Sequence, residues 1–458
     1  MNTREIIELI EQESVSNEVL TDLIKQHTEA RERMIDRYER YKATEEGVPV
    51  FKRRFEDENK INNKINADFM SEIVDTKTGY FAGVPIAYSL DKEKYEGNEG
   101  RYVRHYATLT DFLHTNTAAD LDSEATKMAA IAGYCGRLAY IEAGSGIERI
   151  MNVEPWEVQV IYDKSIHEPA YAMRYYQLEE SKTKRKYWHV EWYDNSFVTE
   201  YRQNEKGIFI EVSSEPHLFD YIPLWAILNN EEKQGDCDKV LAAIDAIDRT
   251  LSDANSEIEQ FRLAYMVMEG VEPDAETLEL AKRSGAFGVP EGSKMSFLTK
   301  DMNDGMIENH LNRLEDYILR FAKSVNFGDE SFAGNQSGVA MRYKLQALEN
   351  KCATFERKLT SALMYQFKVI GSSWRKRGID IEPSDIFYQF KRNFPVSWEA
   401  EAEATGKLRG QVSENTRLGL LSFVDDVEYE IDLMEQETAN NPYAGALDDT
   451  EPPEGGDE

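Results

Sequence analysis

Residues 240–261, VLAAIDAIDRTLSDANSEIEQF, and residues 307–325, IENHLNRLEDYILRFAKSV, place apolar side chains in alternating steps of four and three. In the first stretch the series is Val240, Ile244, Ile247, Leu251, Ala254, Ile258 and Phe261; in the second it is Ile307, Leu311, Leu314, Ile318, Phe321 and Val325. Side chains three and four apart share one face of an α-helix, so each stretch reads as a helix with a single apolar seam. Each helix is expected to be about 35 Å long from its rise per residue. About 45 residues separate the two. Within them, 263–271 and 294–299 read as short strands around a helix that opens near Pro273 or Asp274 and stops at Gly285, the Pro-early, Gly-late asymmetry of helix ends. The reading is a helical hairpin shaft that carries a small β-α-β tip away from the body. Such a shape suits a machine part better than a pocket enzyme.

Working outward, residues 1 to about 45 are helical by periodicity (Ile6, Ile7, Ile10, then Leu20, Leu23, Ile24) and end in the turn-like EEGVPV before Phe51. Residues 59–88 read as a polar loop, a helix (Phe69, Ile73, Val74), and a Gly79/Gly83/Pro85 turn into a strand. Residues 105–142 are helical and finish in a strand at 138–141. From Val153 to Leu228 the period becomes two: EVQVIYD, YAMRYYQLEE, KYWHVEWYD, SFVTEYRQ and GIFIEVSS are rich in β-branched and aromatic residues, with turn residues between them. An antiparallel β-rich portion follows from that pattern. Its aromatics lack the interleaved basic clusters that base stacking would use, so they are read as a sheet face packed on helices.

Beyond the shaft, NFGDESFAGNQSG (326–338) is a polar loop with three glycines as hinge candidates, expected to be mobile. A helix of about 33 residues starts at 338, with Met341, Leu345, Leu348, Cys352, Phe355, Leu359, Leu363, Phe367 and Ile370 along its apolar face. After about Pro395 two further helices are expected, with Ser413 as N-cap of the first and Glu414 in its opening turn. From Thr438 the chain is acidic, bears Pro and Gly, and is read as disordered. The fold class is α+β.

With 85 acidic and 53 basic side chains the formal net charge is −32, which disfavours gripping of phosphate by clustered Lys and Arg. Cys135, Cys237 and Cys352 have neither disulfide-framework nor zinc spacing, and a reducing compartment is expected. No run of eighteen apolar residues occurs, and the opening MNTREIIELIEQES is amphipathic and acidic; synthesis in the cytoplasm without membrane insertion is expected. GxxxxGK[ST], HExxH, GxSxG and GxGxxG are absent, and the seven histidines fall at no ligand spacing. Each histidine is read as a core or surface residue, and the acidic run Asp425, Asp426, Glu428 and Glu430 as a solvated face. No metal, no cofactor and no catalytic residue is assigned, and the chain is read as not an enzyme.

Three stretches resemble one family. They are NKINNKINADFMSEIVDTKTGYFAGVPIAY (59–88), IPLWAILNNEEKQGDCDKVLAAIDAIDRTLSDANSEIEQF (222–261) and FLTKDMNDGMIENHLNRLEDYILRFAKSVNFGDESFAGNQSGVAMRYKLQALENKC (297–352), followed in the expected order by LGLLSFVDDVEYEIDLMEQE (418–437). Together they resemble the portal proteins of tailed bacteriophages, of the siphophage type that infects Gram-positive hosts.

The resemblance implies a phage portal fold: a wing (1–237) of N-terminal helices and a β-rich part, stem helices 238–263 and 303–325, a small α/β clip (264–302), a tunnel loop (326–338), the rest of the wing (339–395), a helical crown (396–437) and an acidic tail (438–458). It implies a ring of subunits, twelve in the capsid, at one vertex of the virion, through whose channel double-stranded DNA passes without sequence specificity. Implied partners are a terminase motor, head-completion adaptors, and scaffolding and major capsid proteins. Site residues follow from position in that scheme. Ile244, Ile247, Leu251, Ile258, Leu311, Leu314 and Ile318 would pack the stem. Glu269, Asp274, Glu276, Glu279, Lys282 and Arg283 would offer docking charges on the clip. Lys323, Asn326, Asp329, Glu330, Asn335, Gln336 and Ser337 would lie along the DNA path. Two other readings stay open on the residues alone: a cytoplasmic coiled-coil scaffold, and a nucleotide-independent enzyme whose site leaves no local motif.

Overall fold

Strand-rich and helix-rich parts alternate along the chain in the computed structural model, which describes residues 3–13, 15–56, 60–162, 168–181, 183–261, 265–269, 279, 294–298, 304–327, 338–393, 398–421, 423–424 and 427–440. In order come α1 (Thr3–Glu13), α2 (Asn17–Tyr41), α3 (Phe69–Ala82), β1 (Ala87–Leu90), α4 (Glu99–Thr115), α5 (Ala118–Ala132), β2 (Tyr134–Ile141) and β3 (Glu148–Val153). Strands β4 (Val158–Tyr162), β5 (Pro169–Glu179), β6 (Lys186–Tyr193), β7 (Phe197–Gln203), β8 (Phe209–Pro216) and β9 (Leu224–Leu228) follow. Then come α6 (Leu241–Phe261), β10 (Tyr265–Glu269), β11 (Lys294–Leu298), α7 (Asp304–Ala322), α8 (Gly338–Lys376), β12 (Ile386–Gln389), α9 (Trp398–Lys407), α10 (Glu414–Leu418) and α11 (Val427–Asn440). The arrangement is α+β.

Strands β4 to β8 form an antiparallel meander in sequence order, as their period-two text requires. One face of that sheet, with Ile161, Met173, Tyr175, Val190 and Trp192, is covered by Ile6, Ile7 and Ile10 of α1 and Val19, Leu20 and Leu23 of α2. Beneath it His27 Nδ1 shares a 2.7 Å hydrogen bond with the Tyr175 hydroxyl, and burial lowers its pKa to about 4, so it is a neutral core histidine. A second sheet has the order β3-β2-β9, and β1 pairs with β12. Here the sequence pattern was incomplete. β2 starts at Tyr134 rather than 138, and β3 and β9 flank it on both sides. β2 and β9 are mostly apolar and covered by helices, so period-two alternation does not mark them, and β3 is a short strand of mixed composition.

Long helix α8 organises the main core: Leu345, Leu348, Cys352, Phe355, Leu359, Leu363, Phe367 and Ile370 are buried along one face, continuing to Trp374. It runs for 39 residues, past Gly371. A Cβ at Gly371 would sit 3.1 Å from the Ile381 carbonyl, so that glycine serves close packing; the left-handed glycine at the turn is Gly378, at φ +79°. Gly79 likewise lies inside α3 rather than in a turn. At the C-terminal end Ser413 caps α10, its Oγ accepting from the Thr416 N–H at 3.3 Å, while α9 was not foreseen.

Candidate functional site

The hairpin is formed by α6 and α7, and β10 pairs antiparallel with β11 beyond it, Tyr265 opposite Leu298 and Glu269 opposite Lys294. Of the helix expected between those strands, only Glu279 is among the described residues; it is helical and exposed. Asp274, Glu276, Lys282 and Arg283 lie outside the described residues.

Along the seam Val240, Ile244, Ile247 and Ile318 are buried, and Leu251, Leu311 and Leu314 partly so. Burial is deepest at the root because α2, α3 and α5 contribute Met34, Tyr38, Met70, Ile73, Val74, Ala130 and Ile131 there. The last step of the α7 series is four rather than three: Ala322 is buried, and Phe321 stands away from the seam. In the single chain Ile258 is 52% exposed, Met306 64%, Tyr317 47% and Phe321 50%. The Tyr317 and Phe321 rings touch at a 45° tilt, with centroids 4.4 Å apart.

A second stripe of α6 is polar and holds an extended segment of the chain. The N–H groups of Asn63, Ile65 and Ala67 donate to Ser256 Oγ (3.0 Å), Ser252 Oγ (2.9 Å) and Asp248 Oδ1 (2.8 Å). Two extended residues advance about 6.6 Å and four helical residues about 6 Å, so alternate amides meet successive turns in register. Asn63 Nδ2 also reaches Glu259. Beside this strap, Arg37 pairs with Asp238 (2.8 Å), Arg40 with Asp245 (2.8 Å), and Arg53 with Asp253. Asp248 has no such cation among the described residues: it is buried, and burial raises its carboxyl from the ordinary 3.8 to about 6 despite the Ala67 hydrogen bond, with Asp245 and Asp68 adding to the rise.

At the root, α3, α8 and the β9–α6 connection meet on one carboxylate. Asp236 lies 3.1 Å from the buried Lys77 ammonium and 3.2 Å from that of Lys351, and accepts from Asn229 Nδ2 at 2.9 Å. Lys77 also donates to Asn229 Oδ1 (2.5 Å) and sits 4.7 Å from the Phe355 ring centre. Burial depresses the Lys77 pKa while Asp236 opposes that; for Asp236, Lys351 and Lys77 outweigh the burial and hold the carboxyl below its usual range. Lys351 makes one more bond, to the carbonyl of Ala322 at 2.8 Å, the last residue of α7.

Lys323 follows at φ +56°, exposed, while the Ser324 N–H returns to the Leu319 carbonyl at 2.9 Å, the six-to-one bond of a Schellman end. Asn326 Nδ2 donates to Glu315 at 3.2 Å. Asp329, Glu330, Asn335, Gln336 and Ser337 lie outside the described residues. The strap and the root network were not anticipated. Asp248, Ser252, Ser256 and Glu259 at steps of four and three were a visible signal for the strap; partners 150 to 270 residues apart, such as Lys77 with Asn229 or Tyr80 with Glu349, leave no such trace.

Over α6 and α7 the sequence carries nine acidic residues and three arginines. The described residues hold no group of three or more His, Cys, Asp or Glu able to bind a metal ion, and none of their helices is long and apolar enough to cross a membrane. What the hairpin presents is an acidic, partly apolar surface on a stiff support, suited to contact with other macromolecules.

Comparison with known proteins agrees. Residues 20–442 match the family model described as phage portal protein, SPP1 Gp6-like. The portal protein of Clostridium phage phiCD119 is 26% identical over 391 residues, covering 76% of this chain and 83% of that one. The portal protein of Bacillus phage SPP1 is 22% identical over 431 residues, covering 88% of this chain and 81% of its own length. The chain belongs to the SPP1 Gp6-like phage portal proteins, and its function is that of a portal, a structural component of the phage capsid.

Proposed function

We propose that identical copies of this chain form a ring, twelve in the capsid, whose α6–α7 hairpins surround a channel for double-stranded DNA during packaging and ejection. The observation that carries the reading is the pairing of two surfaces on one hairpin. Ile258, Met306, Tyr317 and Phe321 stand exposed on a single chain, an apolar stripe that neighbouring hairpins in a ring would cover. Acids outnumber arginines threefold on the same two helices, which supplies a wall that repels phosphate and lets DNA slide.

In this scheme 1–237 and 339–395 form the wing, 238–263 and 303–325 the stem, 264–302 the clip, 326–338 the loop nearest the DNA, 396–437 the crown and 438–458 its tail. The clip docks a terminase motor and later head-completion adaptors through charges such as Glu269, Asp274, Glu276, Glu279, Lys282 and Arg283; scaffolding and major capsid proteins surround the wing. Assembly takes place in the host cytoplasm, and the chain itself catalyses nothing. Electron micrographs of the purified protein test this: rings with an axial hole are expected. Particles that remain monomeric, or form rods without a hole, at every protein and salt concentration would overturn it.

A further inference from the structure

Both legs of the hairpin are fastened to the long helix at one nitrogen atom. Lys351 Nζ lies 3.2 Å from Asp236 Oδ1, just before α6, and 2.8 Å from the Ala322 carbonyl, at the end of α7. The two legs are otherwise held very differently. The start of α6 is locked into the wing: Asp236 N–H donates to the Ala130 carbonyl at 2.7 Å and Asn229 N–H to the Gly133 carbonyl at 2.9 Å. Chain approach is so close there that a Cβ at Gly235 would come within 2.3 Å of the Ile131 carbonyl. The end of α7 is held by its own Schellman bond, by Ile318 and Ala322 buried in the root core, by the Val325 side chain against the main core, and by Lys351.

Charge balance separates the two lysines further. Asp236 is already neutralised by Lys77, which is fully buried and also satisfies Asn229. The second ammonium leaves this cluster with two cations and one anion, an excess that burial makes unfavourable. Lys351 nevertheless helps hold the Asp236 carboxyl in its charged form, a part that it shares with Lys77. Its distinctive contribution is geometric: it is the one group here that touches the entry of α6, the exit of α7 and α8 together.

We infer that Lys351 is a positioning residue that fixes the exit of α7 relative to α8, and so sets where the chain leaves the hairpin. Taken with the proposed channel, on which this part of the inference rests, Lys351 keeps the end of stem helix α7 in its place along the channel.

The test uses the full chain with Lys351→Met and Lys351→Gln, and Asp236→Asn as a contrast. Either Lys351 variant keeps the Lys77–Asp236 pair. Expected for both is normal folding, rings as in the parent protein, and backbone hydrogen exchange at least tenfold faster in 319–327 and 343–351 but unchanged in 130–141. Asp236→Asn leaves the buried Lys77 ammonium and the partly buried Lys351 ammonium without a counter-charge and is expected to fail to fold. DNA packaging by Lys351→Met should fall while rings persist. Unchanged exchange at 319–327 and 343–351, or faster exchange spread evenly through 130–141, would overturn the inference. Failure of both Lys351 variants to fold would overturn it too, because Lys351 would then carry the fold rather than a position. Should the parent protein form no rings, the portal-channel reading falls, while the exchange data still judge Lys351.

Discussion

Replacing Asp248 by Asn should stabilise this protein, with a pH dependence that identifies the cause. Asp248 is a buried acid whose only hydrogen bond from the strap is the Ala67 N–H, and its carboxyl is raised from 3.8 to about 6. A raised acid pKa means that the folded state holds its proton more tightly than the unfolded chain. Stability therefore falls as pH climbs from about 4 to about 6, and the full penalty is present at neutral pH. The displacement corresponds to about 3 kcal/mol at most, and partial solvation of the carboxylate lowers the expectation to about 1–2 kcal/mol. Asn keeps the shape and the acceptor for Ala67 but carries no charge, and its amide would face the carboxylates of Asp245 and Asp68 that contribute to the rise. Urea unfolding of variant and parent, at equal protein concentration because assembly shifts apparent stability, should show no difference at pH 4 and a gain of about 1–2 kcal/mol at pH 7.5. Asp248→Ala, which orphans the Ala67 N–H, should instead lose about 1–3 kcal/mol at pH 4, where no charge penalty offsets it. Loss of stability in Asp248→Asn at pH 7.5, or an equal gain at pH 4, would refute the reasoning.

Ile318→Asp places a charge in the fully buried root of the seam and should cost several kcal/mol, read as loss of the cooperative unfolding transition. Tyr317→Ser combined with Phe321→Ser removes exposed rings, so the unfolding free energy of dissociated chains should stay within about 0.5 kcal/mol of the parent, while sedimentation should show weakened rings. Arginine at both Asp329 and Glu330 should leave rings intact and slow DNA packaging more at low than at high salt; equal rates at every salt concentration would take the loop out of the DNA path.

The parts of the fold that were legible in the sequence are those whose partners lie nearby in the chain or whose period is strong. The two seams, the five-stranded meander and α8 each announce themselves through one repeated spacing over many residues. Strand β9 was illegible because helices cover it and β3 because it is short and mixed in composition, and the end of α8 was misjudged because Gly371 looks like a cap yet serves a close crossing with Ile381. Within the site, the seam residues Ile244, Ile247 and Ile318 were found by periodicity alone. The Lys77, Asn229, Asp236 and Lys351 cluster was not, since its members are brought together by tertiary packing of α3, α8 and the β9–α6 connection and none carries a local motif.

Burial along the hairpin also divides the effects that substitutions should have. On α6, one stripe is closed by the seam, and another by the strap and the three arginine pairs, all within the same chain. Ile244, Ile247 and Ile318 therefore act on folding whether or not a neighbour is present. On α7 Tyr317 and Phe321 stay about half exposed in one chain, and an isolated subunit leaves that apolar area in water. Each exposed aromatic face contributes to stability only once a second surface covers it, so its worth must depend on protein concentration while that of the seam does not. Dilution should thus separate the two classes: seam variants keep the same stability deficit at every concentration, and stripe variants differ from the parent only where rings are populated.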